Sequence, residues 1–316
     1  MKAVVIRSYG SAEVLQYEDV AQPQIQPNQL LVKVHASSVN PIDWKIRQGM
    51  LSLLSGNNFP LILGFDLAGE VVAVGSQVTS FQPGDAVYGC ANFPGGAYAE
   101  FAAVPENLIA SKPSNLTYEE AATVPLAALT ALQALRDQGN IKSGQRVLIN
   151  GASGGVGMFA VQIAKALGTE VTGVCSTKNL EFVKSLGADR VIDYTQEDFT
   201  ENSGQYDIVF DAVVGKRSLS NCKRVLTPNG IYISTLPTPE VFIQSLLTAF
   251  FPGQKAKFVI ERPNTQDLVY LKELIEAGKM RTVIDRSFPL AELAAAHNYS
   301  ESERTVGKIA IVMLQE

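Results

Sequence analysis

Apolar residues follow different patterns in the two halves of the chain. Up to about residue 120, short β-rich stretches such as QLLVKVHASSV (29–39) and LAGEVVAVG (67–75) are separated by Gly and Pro turns such as QPGD (82–85). Antiparallel sheets with partly buried faces are typically built from such short segments. The N-terminal half therefore predicts an antiparallel barrel or sandwich.

From about residue 145, short apolar strands alternate with helical segments of ten or more residues. This alternation indicates a parallel sheet that helices cover on both faces, so this half predicts a doubly wound α/β fold. The six predicted strands are RVLIN (146–150), EVTGVC (170–175), RVIDY (190–194), DIVFDAV (207–213), GIYIST (230–235) and AKFVIE (256–261).

The last sixty or so residues do not extend this series. They read as a helix (DLVYLKELIEAG, 267–278), a strand (TVIDRSF, 282–288), another helix and a last strand (KIAIVML, 308–314). Because a six-stranded sheet is complete without them, we expect this tail to return to the first domain. The predicted domains are 1–122, to which 256–316 return, and a dinucleotide-binding domain at 123–255.

Composition and charge narrow the functional classes. The chain of 316 residues is 46% hydrophobic and 18% charged, and its net charge of −5 shows no basic clustering of the kind that nucleic-acid binding requires. No segment approaches the roughly 18 apolar residues of a membrane span. Cys90, Cys175 and Cys222 have neither disulfide-type nor metal-type spacing, and no leader pattern opens the chain. We expect a cytoplasmic protein with small-molecule ligands.

A glycine-rich turn, GASGGVG (151–157), follows the first α/β strand directly and opens an amphipathic helix that ends near Gly168. In dinucleotide-binding folds the glycines of such a turn let the backbone bend and approach a pyrophosphate, which the helix N-terminus then faces. The alternative is a glycine-rich structural turn without a ligand. The candidate cofactor contacts in the turn are Ser153, Gly154, Gly155 and Val156.

The end of the second strand predicts the type of cofactor. NAD-preferring proteins place an Asp or Glu there to bind the ribose hydroxyls, whereas this chain has Ser176, Thr177, Lys178 and Asn179. The hydroxyl groups and the Lys178 ammonium are suited to a 2′-phosphate, which favours NADPH. The alternative for Lys178 is a solvated surface charge at a helix start.

With these residues in view, the chain resembles the medium-chain dehydrogenase/reductase superfamily, and within it the quinone oxidoreductase and enone reductase branch. The matching stretches are SSVNPIDWKIRQG (37–49), LILGFDLAGEVVAVG (61–75), PGDAVYG (83–89), GGAYAEF (95–101), AATVPLAALTALQAL (121–135), NGASGGVG (150–157), STKNLEFVKSLGADRVIDY (176–194) and RSFPLAELAAAHNYSESERTVGKIAI (286–311). The resemblance implies a GroES-like β-rich catalytic domain beside a Rossmann domain, and a homodimer.

The zinc branch of this superfamily carries a Cys after the first barrel strands and a Gly-His-Glu further on. In this chain the first region reads Ser38-Val39-Asn40 and the second reads Gly64-Phe65-Asp66, so two expected soft ligands are absent. A catalytic zinc normally takes three protein ligands of N, S or O type. His35 and His297 are the only histidines, and isolated histidines are more often structural. We expect no metal.

Without zinc, the expected reaction is hydride addition to a quinone or an α,β-unsaturated carbonyl, whose developing oxygen charge needs only hydrogen-bond donors and a proton. The catalytic candidates are Lys45, Asn40 and Asp43. The resemblance makes Lys45 a contact of both cofactor and substrate and a candidate proton relay. For Asp43 the alternatives are orientation of Lys45 and a turn or helix cap after Pro41.

The remaining cofactor candidates also come from the resemblance. Thr130 is placed beside the nicotinamide and Tyr194 against the adenosine end, with helix packing and strand packing as the alternatives. Val213 ends the fourth predicted α/β strand, and Arg304 and Thr305 lie in the returning C-terminal segment.

Two other functions stay open. One is a catalytically weak NADPH-binding structural or regulatory protein, for which a damaged nucleotide turn would be expected. The other is an enoyl-thioester reductase, for which a basic cluster for a phosphopantetheine carrier would be expected. The apolar segment PEVFIQSLLTAFFPG (239–253) is interpreted as core or dimer interface, with a pocket wall for lipid-derived enones or a membrane-touching patch as alternatives.

Overall fold

The chain divides after Ala127 and again after Arg262. In the computed structural model, which describes residues 1–201, 205–213, 215 and 217–313, unit 1 comprises Met1–Ala127, Pro263–Ala277 and Thr282–Glu316. Unit 2 comprises Ala128–Arg262 and Gly278–Arg281. These divisions fall a few residues beyond the predicted ones. Residues 314–316, where the predicted last strand and returning segment end, lie outside the described residues.

The N-terminal part of unit 1 is built around one long strand, β3. Its elements are β1 (Lys2–Ile6), β2 (Gln16–Asp19), β3 (Gln29–Val39), α1 (Pro41–Arg47), α2 (Ser52–Ser55), β4 (Leu61–Ile62), β5 (Asp66–Val74), β6 (Ala86–Cys90), β7 (Phe101–Pro105), β8 (Ile109–Ser111) and α3 (Tyr118–Ala122). β3 pairs antiparallel with β5 along most of its length and with β7 over residues 29–33. Val32 and Leu30 of β3 are fully buried, which makes this strand the centre of the unit's core.

Unit 2 contains the predicted doubly wound sheet. Its elements are α4 (Pro125–Gln133, which begins in unit 1), β9 (Arg146–Asn150), α5 (Gly155–Ala166), β10 (Glu170–Cys175), α6 (Leu180–Ser185), β11 (Arg190–Asp193), β12 (Tyr206–Asp211), α7 (Leu219–Cys222), β13 (Leu226–Ser234), α8 (Pro239–Ala249) and β14 (Lys255–Phe258). Within the described residues the strands run in the order β11-β10-β9-β12-β13-β14, and every pair is parallel. This confirms the predicted fold class, in which the sheet reverses its order between β9 and β12.

The C-terminal segment adds α9 (Thr265–Glu276), β15 (Ile284–Pro289), α10 (Leu293–Glu301) and β16 (Lys308–Val312). β16 pairs antiparallel with the end of β3, from Ile309 opposite Val39 to Val312 opposite Ala36. β15 pairs with β16 in parallel, so the seven-stranded sheet of unit 1 is not purely antiparallel, whereas β2, β1 and β4 form a separate antiparallel sheet. The seven-stranded sheet is therefore completed by residues that lie more than 240 positions after β3.

The apolar segment on and after α8 is mostly exposed. Val241 is the side chain of α8 that is buried. Exposed fractions between 48 and 84% are found for Phe242, Ile243, Leu246, Leu247, Phe250 and Phe251. The interpretation of this segment as core is therefore wrong for these side chains. No helix among the described residues combines the length and the apolarity needed to cross a bilayer.

Candidate active site

The glycine-rich turn lies at the carboxyl end of β9, where the sheet order reverses. Gly154 is the N-cap of α5, in extended conformation (φ −82°, ψ 175°), and the first intrahelical bond runs from the Met158 N–H to the Gly154 carbonyl at 2.9 Å. The N–H groups before Met158 have no partner within the helix and carry the positive end of its dipole. The predicted contacts that meet at this helix start are Ser153, Gly154, Gly155 and Val156.

Three glycines of the turn differ in the space that surrounds them. Gly151 has φ +79°, a conformation that favours glycine. A Cβ on Gly157 would lie 2.0 Å from the Gly151 carbonyl oxygen, so the helix packs on the turn with no room for a side chain. A Cβ on Gly154 would meet nothing nearer than 3.5 Å. The backbone at Gly154 thus has open space where a side chain would stand, and the turn fits a dinucleotide.

The end of β10 is tied to this turn by Asn179. Its side chain is 8% exposed, and its Nδ2 donates to Ser153 Oγ at 3.0 Å and to Ser176 Oγ at 3.4 Å. Lys178, the neighbouring residue, is exposed. The structure therefore brings the predicted pyrophosphate and 2′-phosphate contacts together at one edge of the sheet.

Thr177 has a partner that the sequence did not indicate. Its Oγ1 donates to Asp193 Oδ2 at 2.5 Å, from the end of the neighbouring strand β11. The hydrogen bond from Thr177 and those from Thr195 hold the pKa of Asp193 below its usual range. Tyr194, the predicted adenosine contact, follows directly and is 60% exposed. The end of β11 thus places a carboxylate against the hydroxyl group of Thr177.

Val213 lies against the glycine turn on the other side. A Cβ on Gly151 would come within 2.7 Å of Val213 Cγ2. The carboxylate of Asp211, which is 1% exposed, accepts from the Val213 N–H (3.1 Å), Asn150 Nδ2 (2.9 Å) and Tyr232 OH (2.9 Å). Burial raises the pKa of Asp211. Thus Val213 belongs to the same edge as the other nucleotide candidates.

Lys45 lies on α1 in unit 1. Its side chain is half-buried, and its Nζ stands 5.4 Å from the centre of the Trp44 ring. Burial lowers the pKa of Lys45, and the negative charge of Glu303 opposes this shift. A half-buried ammonium of lowered pKa is suited to donate a hydrogen bond or a proton.

The C-terminal end of α10 packs against α1. Arg47 is buried and donates to Glu301 Oε1 at 2.7 Å. Arg304, which is exposed, and Thr305, which is half-buried, follow this contact in the chain. The structure thus places these two candidates in the same part of unit 1 as Lys45. Thr130 is buried on α4, within unit 2.

Asn40 lies inside unit 1 rather than at its surface. Its side chain is 1% exposed; Nδ2 donates to Asp66 Oδ2 at 2.8 Å, and Oδ1 accepts from Lys308 Nζ. Lys308 Nζ lies 3.5 Å from Asp66 Oδ2. Both ends of the Asn40 amide are therefore occupied by protein, an arrangement that positions Asn40 instead of presenting it to a substrate.

Asp43 is likewise buried and acts on the start of α1. Its Oδ2 accepts from the Asn40 N–H at 2.7 Å and from Tyr98 OH at 2.8 Å, while Oδ1 has no hydrogen-bond partner among the described residues. Burial raises the pKa of Asp43 to about 7; the bonds from Asn40 and Tyr98 and the charge of Lys308 oppose this shift, and Asp66 adds to it. Of the two interpretations of Asp43, this geometry fits the helix cap.

The zinc position of the related branch does not suit a metal here. Phe65 has no metal-binding group and is 7% exposed in the core. The oxygens of Asp66 already accept from Ser38 Oγ (2.6 Å), Asn40 Nδ2 and the Leu126 N–H (2.8 Å). A cation bound there would also face the ammonium of Lys308. These residues do not fit a zinc ion.

Sequence reasoning missed Asp66, Lys308 and Asp193 as parts of the site. The sequence showed Asp66 only as a residue that replaces part of the zinc-branch motif, and Asp193 only as a residue near the end of a predicted strand. Lys308 gave no clear signal, because a lysine at the start of a strand is normally exposed; its burial depends on its pairing with Asp66 and Asn40.

Comparisons with known proteins agree with this architecture. The family model "Alcohol dehydrogenase GroES-like domain" matches residues 26–114, and "Zinc-binding dehydrogenase" matches residues 186–311. The chain is 39% identical over 325 residues to a chloroplastic quinone-oxidoreductase homolog of Spinacia oleracea, with 98% of each chain covered. It is 36% identical to the 2-methylene-furan-3-one reductase of Solanum lycopersicum, with 98% of this chain and 79% of the relative covered.

Two further similarities cover nearly the whole chain. A mitochondrial NAD(P)H oxidoreductase of Mus musculus is 35% identical over 351 residues, with 98% of this chain and 89% of the relative covered. The solved structure of the quinone oxidoreductase from Coxiella burnetii superimposes with a TM-score of 0.91 at 36% identity and covers 99% of each chain.

Proposed function

Because the chain belongs to the medium-chain dehydrogenase/reductase superfamily, in its zinc-free quinone oxidoreductase branch, we propose that this oxidoreductase uses NADPH to reduce quinones or the carbon–carbon double bond of enones. The observation that carries the proposal is the open glycine turn at the N-terminus of α5, tied through Asn179 to the end of β10. When bound, a reduced nicotinamide cofactor supplies the hydride for such a reaction.

The chain's own residues supply binding and charge stabilisation. The N–H groups at the start of α5 bind the pyrophosphate, and Val213 and Tyr194 contact the nucleotide. Lys45 donates to the oxygen on which negative charge develops, and Thr130, Arg304 and Thr305 contact the cofactor. Asn40 and Asp43 act through the position of α1, because both are buried and occupied by protein contacts.

The preference for NADPH rests on Lys178. It is an exposed ammonium directly beside Asn179, and hydroxyl groups of Ser176 and Thr177 precede it. The carboxylate of Asp193 accepts a hydrogen bond from Thr177 and so adds a negative charge to this part of the site. The 2′-phosphate of NADPH pairs with the Lys178 ammonium, whereas the 2′-hydroxyl of NADH offers that ammonium no anion.

The reaction needs no zinc in this proposal, since Asp66 is engaged by protein donors and by Lys308. Quinones and enones are both kept in the proposal, because the branch contains relatives named for both kinds of reduction. A lipid-derived acceptor stays a prediction. A homodimer and a cytoplasmic location stay predictions; the relatives from Spinacia oleracea and Mus musculus are named chloroplastic and mitochondrial.

The test is the oxidation of NADPH by purified, flavin-free, chelator-treated protein with three acceptors in parallel: a short enone, a long-chain lipid-derived enone and a simple quinone. We expect turnover that survives chelation and is at least about tenfold weaker with NADH, since one charged contact contributes roughly 1.5–3 kcal/mol. An enone reduced faster than the quinone identifies double-bond reduction.

Two other outcomes would contradict the proposal and favour one of the alternative functions. Binding of NADPH without reduction of any acceptor favours the NADPH-binding regulatory protein. Reduction of an enoyl thioester far faster than of the free enone favours the enoyl-thioester reductase.

A further inference from the structure

The carboxylate of Asp66 is a meeting point of four elements in unit 1. It is fully buried at the start of β5. It accepts from Ser38 at the end of β3, from Asn40 at the start of α1 and from the Leu126 N–H in the first turn of α4. The ammonium of Lys308, at the start of β16, stands 3.5 Å away. Four chain segments are thus held by one side chain.

Lys308 completes this group as its buried cation. Its side chain is 3% exposed, and its Nζ donates to Asn40 Oδ1 and to the Val39 carbonyl at 3.4 Å. A buried ammonium is tolerated only when it is paired and hydrogen-bonded. Lys308 and Asp66 therefore fix the two ends of the same Asn40 amide, one as donor and the other as acceptor.

We propose that Asp66 and Lys308 form a positioning pair that sets the place of Lys45 by clamping the Asn40 amide at the start of α1. This inference rests on the proposed reductase function. α1 has seven residues, so the position of its N-cap, Asn40, decides where Lys45, in the second turn, is held. The Asn40 N–H in turn donates to Asp43 Oδ2, which fixes the backbone of the same turn.

The far end of α1 has its own anchor, the Arg47–Glu301 pair. With the clamp removed at Asn40, the helix stays attached there and through the bond from Tyr98 to Asp43, but the Asn40 side chain no longer fixes its start. A displacement of about 1 Å at a reacting group can cost on the order of 100-fold in rate. Loss of the clamp is therefore expected to lower kcat, while cofactor binding by the glycine turn in unit 2 is retained.

The experiment compares Lys308→Met, Asp66→Asn and the double variant D66N/K308M with the wild type. Glu18→Gln is the matched control, because it removes an exposed ion pair, with Arg7, in the same unit. Four quantities are measured: kcat with an enone, the Kd of NADPH by fluorescence, the melting temperature, and hydrogen–deuterium exchange of the segment 41–49.

We expect K308M and D66N to lower the melting temperature, since each leaves a buried charge without its partner. The double variant should recover most of that loss. In all three, kcat falls by about 10- to 100-fold and exchange in 41–49 rises. The Kd of NADPH rises by no more than about tenfold, the effect of the one Lys45 contact, because the glycine turn of unit 2 is unchanged. E18Q resembles the wild type in every measurement.

Recovery of kcat together with stability in the double variant would overturn the proposal, because the pair would then serve folding alone. Unchanged exchange in 41–49 in K308M would also overturn it. The exchange measurement does not depend on turnover. A wild type that reduces no acceptor, combined with increased exchange in K308M, would therefore contradict the proposed function and leave the clamp supported.

Discussion

Two buried ionisable side chains in unit 1 have pKa values shifted in opposite senses. Burial raises the pKa of Asp43 from 3.8 to about 7, and burial together with the charge of Arg47 lowers that of His297 from 6.5 to about 3. Both contact Tyr98: Asp43 accepts its hydroxyl hydrogen bond, and the His297 ring packs edge-on against it at 5.6 Å. The sequence identified Asp43 as a candidate and His297 as structural. Their burial and their shared contact with Tyr98 depend on the tertiary structure, which the sequence pattern does not show.

These shifts predict opposite effects on the pH dependence of stability. Native Asp43 holds a proton between about pH 4 and 7 that the unfolded chain has lost, so its contribution falls as pH rises through that window. Native His297 excludes a proton that the unfolded chain takes up below pH 6.5, so its contribution is lost as pH falls toward 3. Urea unfolding of D43N and H297Q between pH 4 and 7 measures both effects.

Relative to the wild type, D43N should gain stability as pH rises and H297Q should gain it as pH falls. The difference in unfolding free energy between each variant and the wild type should change by at most about 1.4 kcal/mol per pH unit. Parallel curves for the wild type and both variants would mean that neither group has a shifted pKa in the native state.

Lys178 carries the prediction for cofactor choice. Lys178→Ala should raise the KM for NADPH by about tenfold, the cost of one charge-assisted contact, and leave that for NADH within about twofold. Lys184→Ala is the control, because Lys184 is exposed on the following helix and pairs with Glu181. Equal effects of K178A on both cofactors would show that Lys178 does not contact the 2′-phosphate.

At the scale of elements, strand–turn–helix order was the most predictable feature. The six α/β strands occur where the apolar segments indicated, because parallel strands buried on both faces have few polar residues. Boundaries were less predictable. β13 begins at Leu226, and its pairing with β12 shifts register before Ile231, so the Pro228-Asn229-Gly230 sequence lies in an irregular strand. Bulges depend on the partner strand, which sequence does not show.

Substitutions in the glycine turn distinguish a glycine needed for packing from a glycine needed for ligand binding. Gly157→Ala places its Cβ 2.0 Å from the Gly151 carbonyl oxygen and should lower both stability and NADPH affinity. Gly154→Ala meets its nearest atom at 3.5 Å and should fold normally, yet bind NADPH at least about tenfold more weakly because its methyl group faces the pyrophosphate. Thermal melting and NADPH titration of both variants decide this, and normal affinity in G154A would place the pyrophosphate elsewhere.

At the scale of the whole molecule, the exposed face of α8 is the feature that the described chain leaves uncovered. α8 packs on β14, where the Phe242 and Phe258 rings lie 6.1 Å apart, and β14 is the last strand of its sheet among the described residues. An apolar helix face next to a strand with a free edge suits a second copy of the chain. The sequence showed the segment's apolarity, but apolarity alone did not distinguish a core helix from a surface helix.

We therefore predict a homodimer that uses this face. Sedimentation of the wild type should give twice the mass of the chain, and the variant L246Q/F250S should sediment as a monomer of unchanged fold. The control V72T changes an exposed apolar residue of unit 1 and should remain dimeric. A wild-type monomer that binds lipid vesicles would instead favour the membrane interpretation of this segment.

The proposed reaction is direct hydride transfer from NADPH to a conjugated acceptor without metal or flavin. It is tested with NADPH deuterated at C4 of the nicotinamide, on one face or the other, and mass spectrometry of the saturated product of an enone. Direct transfer places one deuterium at the β-carbon from one of the two labelled forms and none from the other, in chelator-treated, flavin-free protein. A saturated product without deuterium from either form would contradict it.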